Sequence, residues 1–154
     1  MLHAVLVPLV LLANGLSAGV LVGTQLGGFP LLAALPPERY VHAHAFFATR
    51  YDPFMPTCLV STLLGDAVLA ATPADAVPRI MFGLAALLAG STMLVSVTKN
   101  VPINKWIQTV DPQRLPGDFA RIDPRPRWGR WNRTRTVLAV CALLVNCAAV
   151  GVAT

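Results

Sequence analysis

The sequence predicts an all-α fold, an integral membrane four-helix bundle, and three observations lead to this prediction. Hydrophobic residues make up 55% of the 154-residue chain and charged residues only 12%, well below the share that is usual in soluble proteins. Four apolar stretches, at residues 4–23, 54–72, 80–98 and 136–153, are each long enough to cross a bilayer as a helix. A long loop rich in proline and arginine joins the third stretch to the fourth. We expect a single membrane domain over residues 1–154.

The first stretch is predicted to be a retained membrane helix rather than a cleaved signal peptide. No Lys or Arg precedes its apolar core, and the core is longer than the apolar region of a typical signal peptide. Glycines recur in and after it at every fourth position: Gly15, Gly19, Gly23 and Gly27. They lie on one stripe of a helix, which predicts close packing against a neighbouring helix. A ligand path along the stripe is the alternative.

The connection at residues 24–53 concentrates ionisable side chains in a chain that has few of them. A proline pair favours the opening of a helix, which is predicted over residues 38–50. His42 and His44 point about 200° apart around such a helix, so one metal ion would bind both only if the backbone were extended. A hydrogen bond donated by His42 to Glu38, one turn away, would raise the basicity of His42. A histidine that contacts lipid headgroups is the structural alternative.

The second stretch contains one acidic residue, and two of the stretches contain cysteines. A charge on Asp66 would be costly within a bilayer, so we expect this residue to be protonated or paired, as a ligand, a proton relay or a structural hydrogen-bond partner. The three cysteines lie in predicted spans and show no metal-binding spacing: Cys58, Cys141 and Cys147. We interpret them as small buried hydrophobic residues.

The segment NVPIN, residues 100–104, follows the third stretch directly. Asn100 is placed to close that helix and Pro102 to stop it from continuing, which leaves Asn104 free to reach over the mouth of the bundle. The two amides are predicted to satisfy backbone groups at the helix end, a requirement that is severe near lipid. They are also placed to present amide groups to a ligand.

Positive charge is concentrated between the third and fourth stretches. Nine of the twelve Lys and Arg residues lie between residues 98 and 136, and a cation-rich loop of this kind is normally cytoplasmic. With four spans, the connections 24–53 and 99–135 emerge on the same side, so we expect both on the cytoplasmic face of a bacterial-type inner membrane. Anionic lipid headgroups account for the charge, and nucleic acid is not an expected partner.

One face of the helix that leads into the fourth stretch is predicted to carry a site. Helical spacing places four side chains on that face: Trp128, Trp131, Asn132 and Arg135. Three other arginines turn elsewhere: Arg127, Arg130 and Arg133. An aromatic belt with interfacial arginines explains the tryptophans, but it explains the amide and the guanidinium on the same face less well.

These motifs resemble a known family. The pattern N-x-P-x-N after the third helix and the pattern W-x3-N-x2-R-T before the fourth are similar to those of small four-helix membrane proteins that include the anthrone oxygenases of aromatic polyketide biosynthesis. The resemblance covers most of the chain, including the glycine-rich first helix and the pattern LP-x-x-R-Y-x-x-x-H at residues 35–44. It implies secondary metabolite biosynthesis in which dioxygen oxidises the methylene group of an anthrone to a quinone carbonyl.

The implied chemistry needs a base, a group that stabilises the substrate anion, and a flat, dry pocket. His42 is the candidate base with His44 as the alternative, and Arg135 with Asn104 is the candidate anion stabiliser. The predicted substrate-binding residues are Asn100, Trp106, Trp128, Trp131 and Asn132. The indoles of the three tryptophans would supply a stacking surface.

No cofactor is predicted, and the expected partners are the lipid bilayer, dioxygen and an aromatic small molecule. A metal or haem oxidase is one alternative, with His3, His42 and His44 as the available ligands, although no haem or di-iron spacing is present. A non-catalytic accessory subunit that docks a soluble biosynthetic enzyme through its arginines is another. Homo-oligomers are compatible with either. A transporter is disfavoured because the sequence shows no internal repeat.

Overall fold

A computed structural model, which describes residues 2–72 and 75–153, confirms the all-α fold. The chain is 87% helical, and its described residues form no strand. Four helical stretches are long and apolar enough to cross a membrane. The sequence-based assignment of a four-helix membrane bundle is therefore confirmed.

The described part of the chain contains eight α-helices and two π-helical turns. In chain order they are α1 (Leu2–Gly23), the first π turn (Thr24–Gly28), α2 (Phe29–Ala34), α3 (Pro37–Arg50), α4 (Phe54–Ala71), α5 (Ala76–Val95), the second π turn (Ser96–Asn100), α6 (Val101–Ile107), α7 (Phe119–Ile122) and α8 (Arg125–Ala153). The bundle consists of α1, α4, α5 and α8, in which α5 packs against α4 and α8, and α1 packs against the same two helices.

The glycine stripe of α1 does not pack as predicted. A Cβ atom added at Gly15, Gly19, Gly23 or Gly27 would have no described atom within 4 Å. The buried face of α1 instead carries Val10, Asn14, Ser17, Ala18 and Leu21. Close packing occurs on α4, where a side chain at Gly65 would collide with Val10. The predicted packing of the stripe within this chain is therefore wrong.

The cysteines differ in their surroundings. Cys58 is buried, Cys141 is partly buried and Cys147 is exposed, and all three are free. The predicted burial holds for Cys58 and is wrong for Cys147, which lies on the outer surface of α8. In a bilayer this surface meets lipid, where a weakly polar thiol costs little.

Asp66 has a hydrogen-bond partner in the centre of the bundle. The amide Nδ2 of Asn146 donates to Asp66 Oδ2 at 3.1 Å, and both side chains are fully buried. The other side-chain oxygen of each residue has no partner among the described residues. A neutral carboxyl group could use both oxygens in a reciprocal acid–amide pair, which is also the form of aspartic acid that costs least in a membrane.

The two long connections form a cap at one end of the bundle. Its apolar core joins residues from both connections: Leu32, Tyr40, Val41, Ile103, Ile107, Phe119 and Trp128.

The helix of the third span continues past Pro102, so the prediction that Pro102 stops this helix is wrong. It continues through the second π turn, in which the Val101 N–H donates to the Ser96 carbonyl five residues earlier, and Pro102 then lies in the first turn of α6, where a missing N–H is tolerated.

Arg125 fastens one connection to the other. Its guanidinium pairs with Asp123 at 2.6 Å and donates through Nη1 to the Leu35 carbonyl at 2.7 Å and to the Ala33 carbonyl at 3.3 Å. It also lies 4.8 Å from the ring centroid of Tyr40. Because α2 ends at Ala34, the arginine satisfies carbonyl groups that this helix end leaves open.

Replacing Arg125 by Met is expected to lower the free energy of unfolding by about 2 to 4 kcal/mol, because Asp123 and two carbonyl groups lose their partner in a partly buried position. Thermal unfolding of the detergent-purified protein measures the loss. Arg121→Met is the matched control, since Arg121 also pairs with an aspartate but its side chain is 81% exposed, against 17% for Arg125. Equal losses in the two variants would contradict the proposed role of Arg125.

Candidate functional site

Two π-helical turns place polar side chains beside the beginning of α8. In the first turn the Phe29 N–H donates to the Thr24 carbonyl, which is also five residues back. Each π turn inserts one extra residue into a helix, and such turns are frequent at functional sites. Through them Gln25, Ser96 and Asn100 come within hydrogen-bond distance of α8.

Asn132 and Arg135 are held together by this arrangement. Asn132 donates through Nδ2 to Gln25 Oε1 at 2.8 Å, and its Oδ1 accepts from Arg135 Nε at 3.1 Å and from Nη2 at 2.9 Å. Arg135 Nη1 donates to Ser96 Oγ at 3.3 Å. The guanidinium is thus oriented by a side-chain amide and a hydroxyl group, both of them neutral.

No carboxylate among the described residues pairs with Arg135. The two ion pairs found there are Arg121–Asp118 and Arg125–Asp123. Arg135 is partly buried and lies 5.7 Å from the ring centroid of Trp128. A guanidinium has five N–H donors, and described acceptors engage three of them. A fixed cation with free donors is suited to binding an anion.

Trp128 determines the hydrogen bonding on the other side of the site. Its indole N–H donates to Asn104 Oδ1 at 2.8 Å, and because an indole can only donate, the orientation of the amide is fixed. His44 Nε2 lies 3.0 Å from the same oxygen and must also donate to it. In its neutral form, which burial favours, His44 therefore carries its proton on Nε2, and its Nδ1 accepts from the Tyr40 hydroxyl at 2.9 Å.

The pKa values of this pair are consistent with neutral side chains. Burial lowers the pKa of His44, the hydrogen bond to Asn104 opposes that shift, and the charge of Arg135 adds to it. Burial also raises the pKa of the Tyr40 hydroxyl. Both groups stay uncharged near neutral pH, so both ring nitrogens of His44 remain engaged. The Nδ2 group of Asn104, by contrast, has no described acceptor and is available to a ligand.

Trp128 supports the site and does not offer a free stacking face. It is only 5% exposed, with its ring contacted by Phe29 at 5.8 Å and by the edge of His44 at 5.1 Å between centroids. The Phe29 ring lies directly against Gly129, where any side chain would collide with it. Asn100 Nδ2 donates to the Trp128 carbonyl at 3.2 Å, which fixes the second π turn to α8.

The structure brings six of the predicted site residues into one cluster, which we call the interior network. Its members from the sequence analysis are His44, Asn100, Asn104, Trp128, Asn132 and Arg135. Sequence reasoning missed Gln25, Tyr40 and Ser96. Tyr40 had a signal, because it lies one helical turn before His44, whereas the other two depend on the π turns.

His42 lies outside the interior network. It is exposed on the opposite side of α3, and the predicted hydrogen bond to Glu38 is not found in the described part of the chain. α3 turns Tyr40, Val41 and His44 toward the cap, so the 3.6-residue period leaves His42 outside. The structure therefore separates the candidate base His42 from the other candidate residues.

Trp131 and Trp106 lie together outside the interior network, at a cavity between α6 and α8. With Lys99 and Arg127 they line a cavity of about 320 Å³, which we call the outer cavity. Trp131 does not share the face of its three predicted companions, because it lies at the edge of that face, about 100° around the helix from Asn132. The predicted four-residue face is thus divided between the interior network and the outer cavity.

The three histidines proposed as metal ligands do not come together. His3 lies near the other end of the bundle, where its Nε2 is 3.0 Å from Thr72 Oγ1, while His42 is exposed and His44 belongs to the interior network. The described residues contain no group of three or more His, Cys, Asp or Glu side chains placed to hold a metal ion.

Comparison with known proteins adds one finding. The model of a protein family described as anthrone oxygenase matches residues 44–145, roughly two-thirds of the chain. The matched part begins at His44 and includes Asn104, Trp128 and Arg135. No curated protein and no solved structure matches the chain.

The buried state of His44 predicts how stability depends on pH. Because its pKa is below the ordinary value of 6.5, the unfolded chain gains a proton below that pH before the folded protein does. The stabilising contribution is complete above pH 6.5 and is lost as pH falls through the pKa of the folded state, with a slope of at most about 1.4 kcal/mol per pH unit.

Thermal unfolding of the wild type and of His44→Gln, measured from pH 8 to pH 5, tests this expectation. The variant is expected to be less stable at pH 8 and to lose less stability on acidification. Parallel pH profiles for the two proteins would show that His44 is not buried in its neutral form.

Proposed function

Because the chain belongs to the anthrone oxygenase family, we propose that it is a membrane-bound oxygenase that oxidises an electron-rich phenolic molecule with dioxygen. The observation that supports this most directly is Arg135, a partly buried cation without a described carboxylate partner and with free N–H donors. A phenolate or enolate oxygen is the kind of anion that such a group stabilises.

The proposed reaction converts a methylene group and dioxygen into a carbonyl group and water. Loss of one proton from a methylene group that is conjugated with a carbonyl gives an enolate. The enolate transfers one electron to dioxygen, and the carbon radical and superoxide that result combine into a peroxide, which protonation converts to a hydroperoxide. Elimination of water breaks the O–O bond and leaves one oxygen atom on carbon, so the substrate itself supplies all the electrons.

In this proposal Arg135 and Asn104 contact the substrate. The free N–H groups of Arg135 and the Nδ2 group of Asn104 would both bind the enolate oxygen, which forms fully only after the proton has left. Donors aimed at a developing negative charge stabilise the transition state more than the ground state. They also lower the pKa of the methylene group, so that water or hydroxide can remove its proton.

His44 would act as a positioning residue. Both of its nitrogens are engaged, one with Tyr40 and one with Asn104, so it could accept a proton only after the Tyr40 hydroxyl turned away. Its hydrogen bond and that of Trp128 together fix the amide oxygen of Asn104. The amide nitrogen is thereby directed away from both rings, toward a ligand.

The proposed orientation places the cap in the cytoplasm. The cap contains most of the positive charge of the chain, and membrane proteins retain such charge on the cytoplasmic side. The interior network, at the junction of cap and bundle, would then be reached by a poorly soluble aromatic substrate from the cytoplasmic half of the bilayer.

Arg135→Met is expected to lower kcat/KM for an anthrone by at least about 100-fold, the usual effect of removing one donor from an oxyanion site. Oxygen consumption by the protein in lipid nanodiscs, with quinone formation followed by absorbance, measures the rate. Arg133→Met is the matched control, because Arg133 is exposed two residues away on the same helix. An accessory subunit would show the reverse, with no effect at Arg135 and a loss at the exposed arginines.

His44→Ala is expected to reduce kcat by about tenfold or more with a smaller change in KM, because the amide of Asn104 loses its orientation. His44→Gln can still donate to that amide and is expected to recover part of the rate. His42→Ala should stay within about twofold of the wild type, since His42 lies outside the interior network. Loss of activity in His42→Ala alone would return the role of base to His42.

A further inference from the structure

The outer cavity is a second site that the proposed reaction does not use. It lies between the second π turn, α6 and the first turns of α8, and none of its lining residues belongs to the interior network. Five residues from the π turn and α6 contribute to its lining: Thr98, Lys99, Pro102, Ile103 and Trp106. The rest is formed by Arg127 and Trp131 of α8, so the cavity combines two cations, two indoles and an apolar wall.

The two cations of the outer cavity have no carboxylate partner in the described part of the chain. The acidic groups nearest in sequence are engaged elsewhere. Asp118 pairs with Arg121, Asp123 pairs with Arg125, and Asp111 accepts a hydrogen bond from the Gln113 backbone. The Lys99 ammonium group lies 5.2 Å from the ring centroid of Trp131, which holds it at the cavity. The cavity is therefore suited to an anion.

An apolar surface leads away from the cavity along α5. Thr98 follows Leu94 by four residues, and its hydroxyl donates to the Leu94 carbonyl at 2.7 Å, so Leu94 lies one turn below the cavity on the same face. Leu94 is 64% exposed and Leu87, two turns further, is 70% exposed. In a membrane these side chains face the acyl chains of lipids. A ligand with an anionic head and an apolar tail matches both surfaces.

We propose that the outer cavity binds the phosphate group of an anionic phospholipid. Lys99 and Arg127 bind the phosphate, Trp106 and Trp131 lie at the level of the headgroup, where tryptophans are favoured, and one acyl chain follows Leu94 and Leu87. The lipid joins the second π turn to α8, the same two elements that the hydrogen bond from Asn100 to the Trp128 carbonyl connects. This inference does not depend on the proposed oxygenase activity.

Quenching of tryptophan fluorescence by brominated lipids tests the site. The protein is reconstituted in phosphatidylcholine vesicles, and part of the lipid is replaced by brominated phosphatidylglycerol or, in a parallel series, by brominated phosphatidylcholine. The wild type is expected to show a preference for phosphatidylglycerol on the order of tenfold, as two basic residues near an anionic group would give. The double variant Lys99→Gln/Arg127→Gln is expected to lose this preference.

The matched control removes the same charge from the same surface. Arg130 and Arg133 are exposed on α8 but do not line the cavity, so Arg130→Gln/Arg133→Gln should keep the preference. An equal loss of the phosphatidylglycerol preference in both double variants, or the absence of this preference in the wild type, would contradict the proposed lipid site. Because all four side chains are exposed, the variants are expected to fold, and circular dichroism checks this in each preparation.

Two competitors distinguish the source of the anion. If only brominated phosphatidylglycerol binds, and glycerol phosphate in solution does not displace it, the lipid is the ligand. Displacement by glycerol phosphate would show that the cavity recognises a phosphate without the acyl chain. This result would contradict the proposal that the ligand is a phospholipid. Displacement by anthraquinone-2-carboxylate but not by glycerol phosphate would overturn phosphate binding and identify a site for aromatic anions.

Discussion

The hydrogen bond from the Trp128 indole to Asn104 is the interaction on which the rest of the interior network depends. An indole nitrogen can only donate, so this bond at 2.8 Å determines which end of the amide faces inward. The amide oxygen then requires a proton on His44 Nε2, and in the neutral form of His44, which burial favours, the remaining nitrogen accepts the hydroxyl proton of Tyr40. One donor thus orients three side chains on two other helices.

The opposite side of the network carries a charge that the chain does not neutralise. Arg135 is surrounded by the neutral acceptors Ser96 and Asn132 and by the face of Trp128. Removing a cation from water is costly without an anion nearby, and neutral hydrogen bonds offset only part of that cost. In the proposed function the anionic substrate would supply the remainder, so the same electrostatics that make the burial of Arg135 costly would favour a negatively charged ligand.

The sequence predicted the bundle well because bilayer thickness and apolar length are directly related. It also placed Asn132 and Arg135 on one face correctly, since i and i+3 positions are neighbours in any helix. It could show that His42 and His44 oppose each other but not which one faces inward, because that depends on Tyr40 and Val41 packing into a cap formed by a distant segment. The π turns were also inaccessible, since one inserted residue rotates everything that follows by about 100°.

The pairing of Asp66 with Asn146 has a consequence for how the protein is made. The two residues are 80 positions apart, and the helix with the acid is synthesised before the helix with the amide. Until α8 enters the membrane, α4 must carry its acid without this partner among lipid chains or within the insertion machinery. The bundle can therefore reach its final arrangement only after the last helix has arrived.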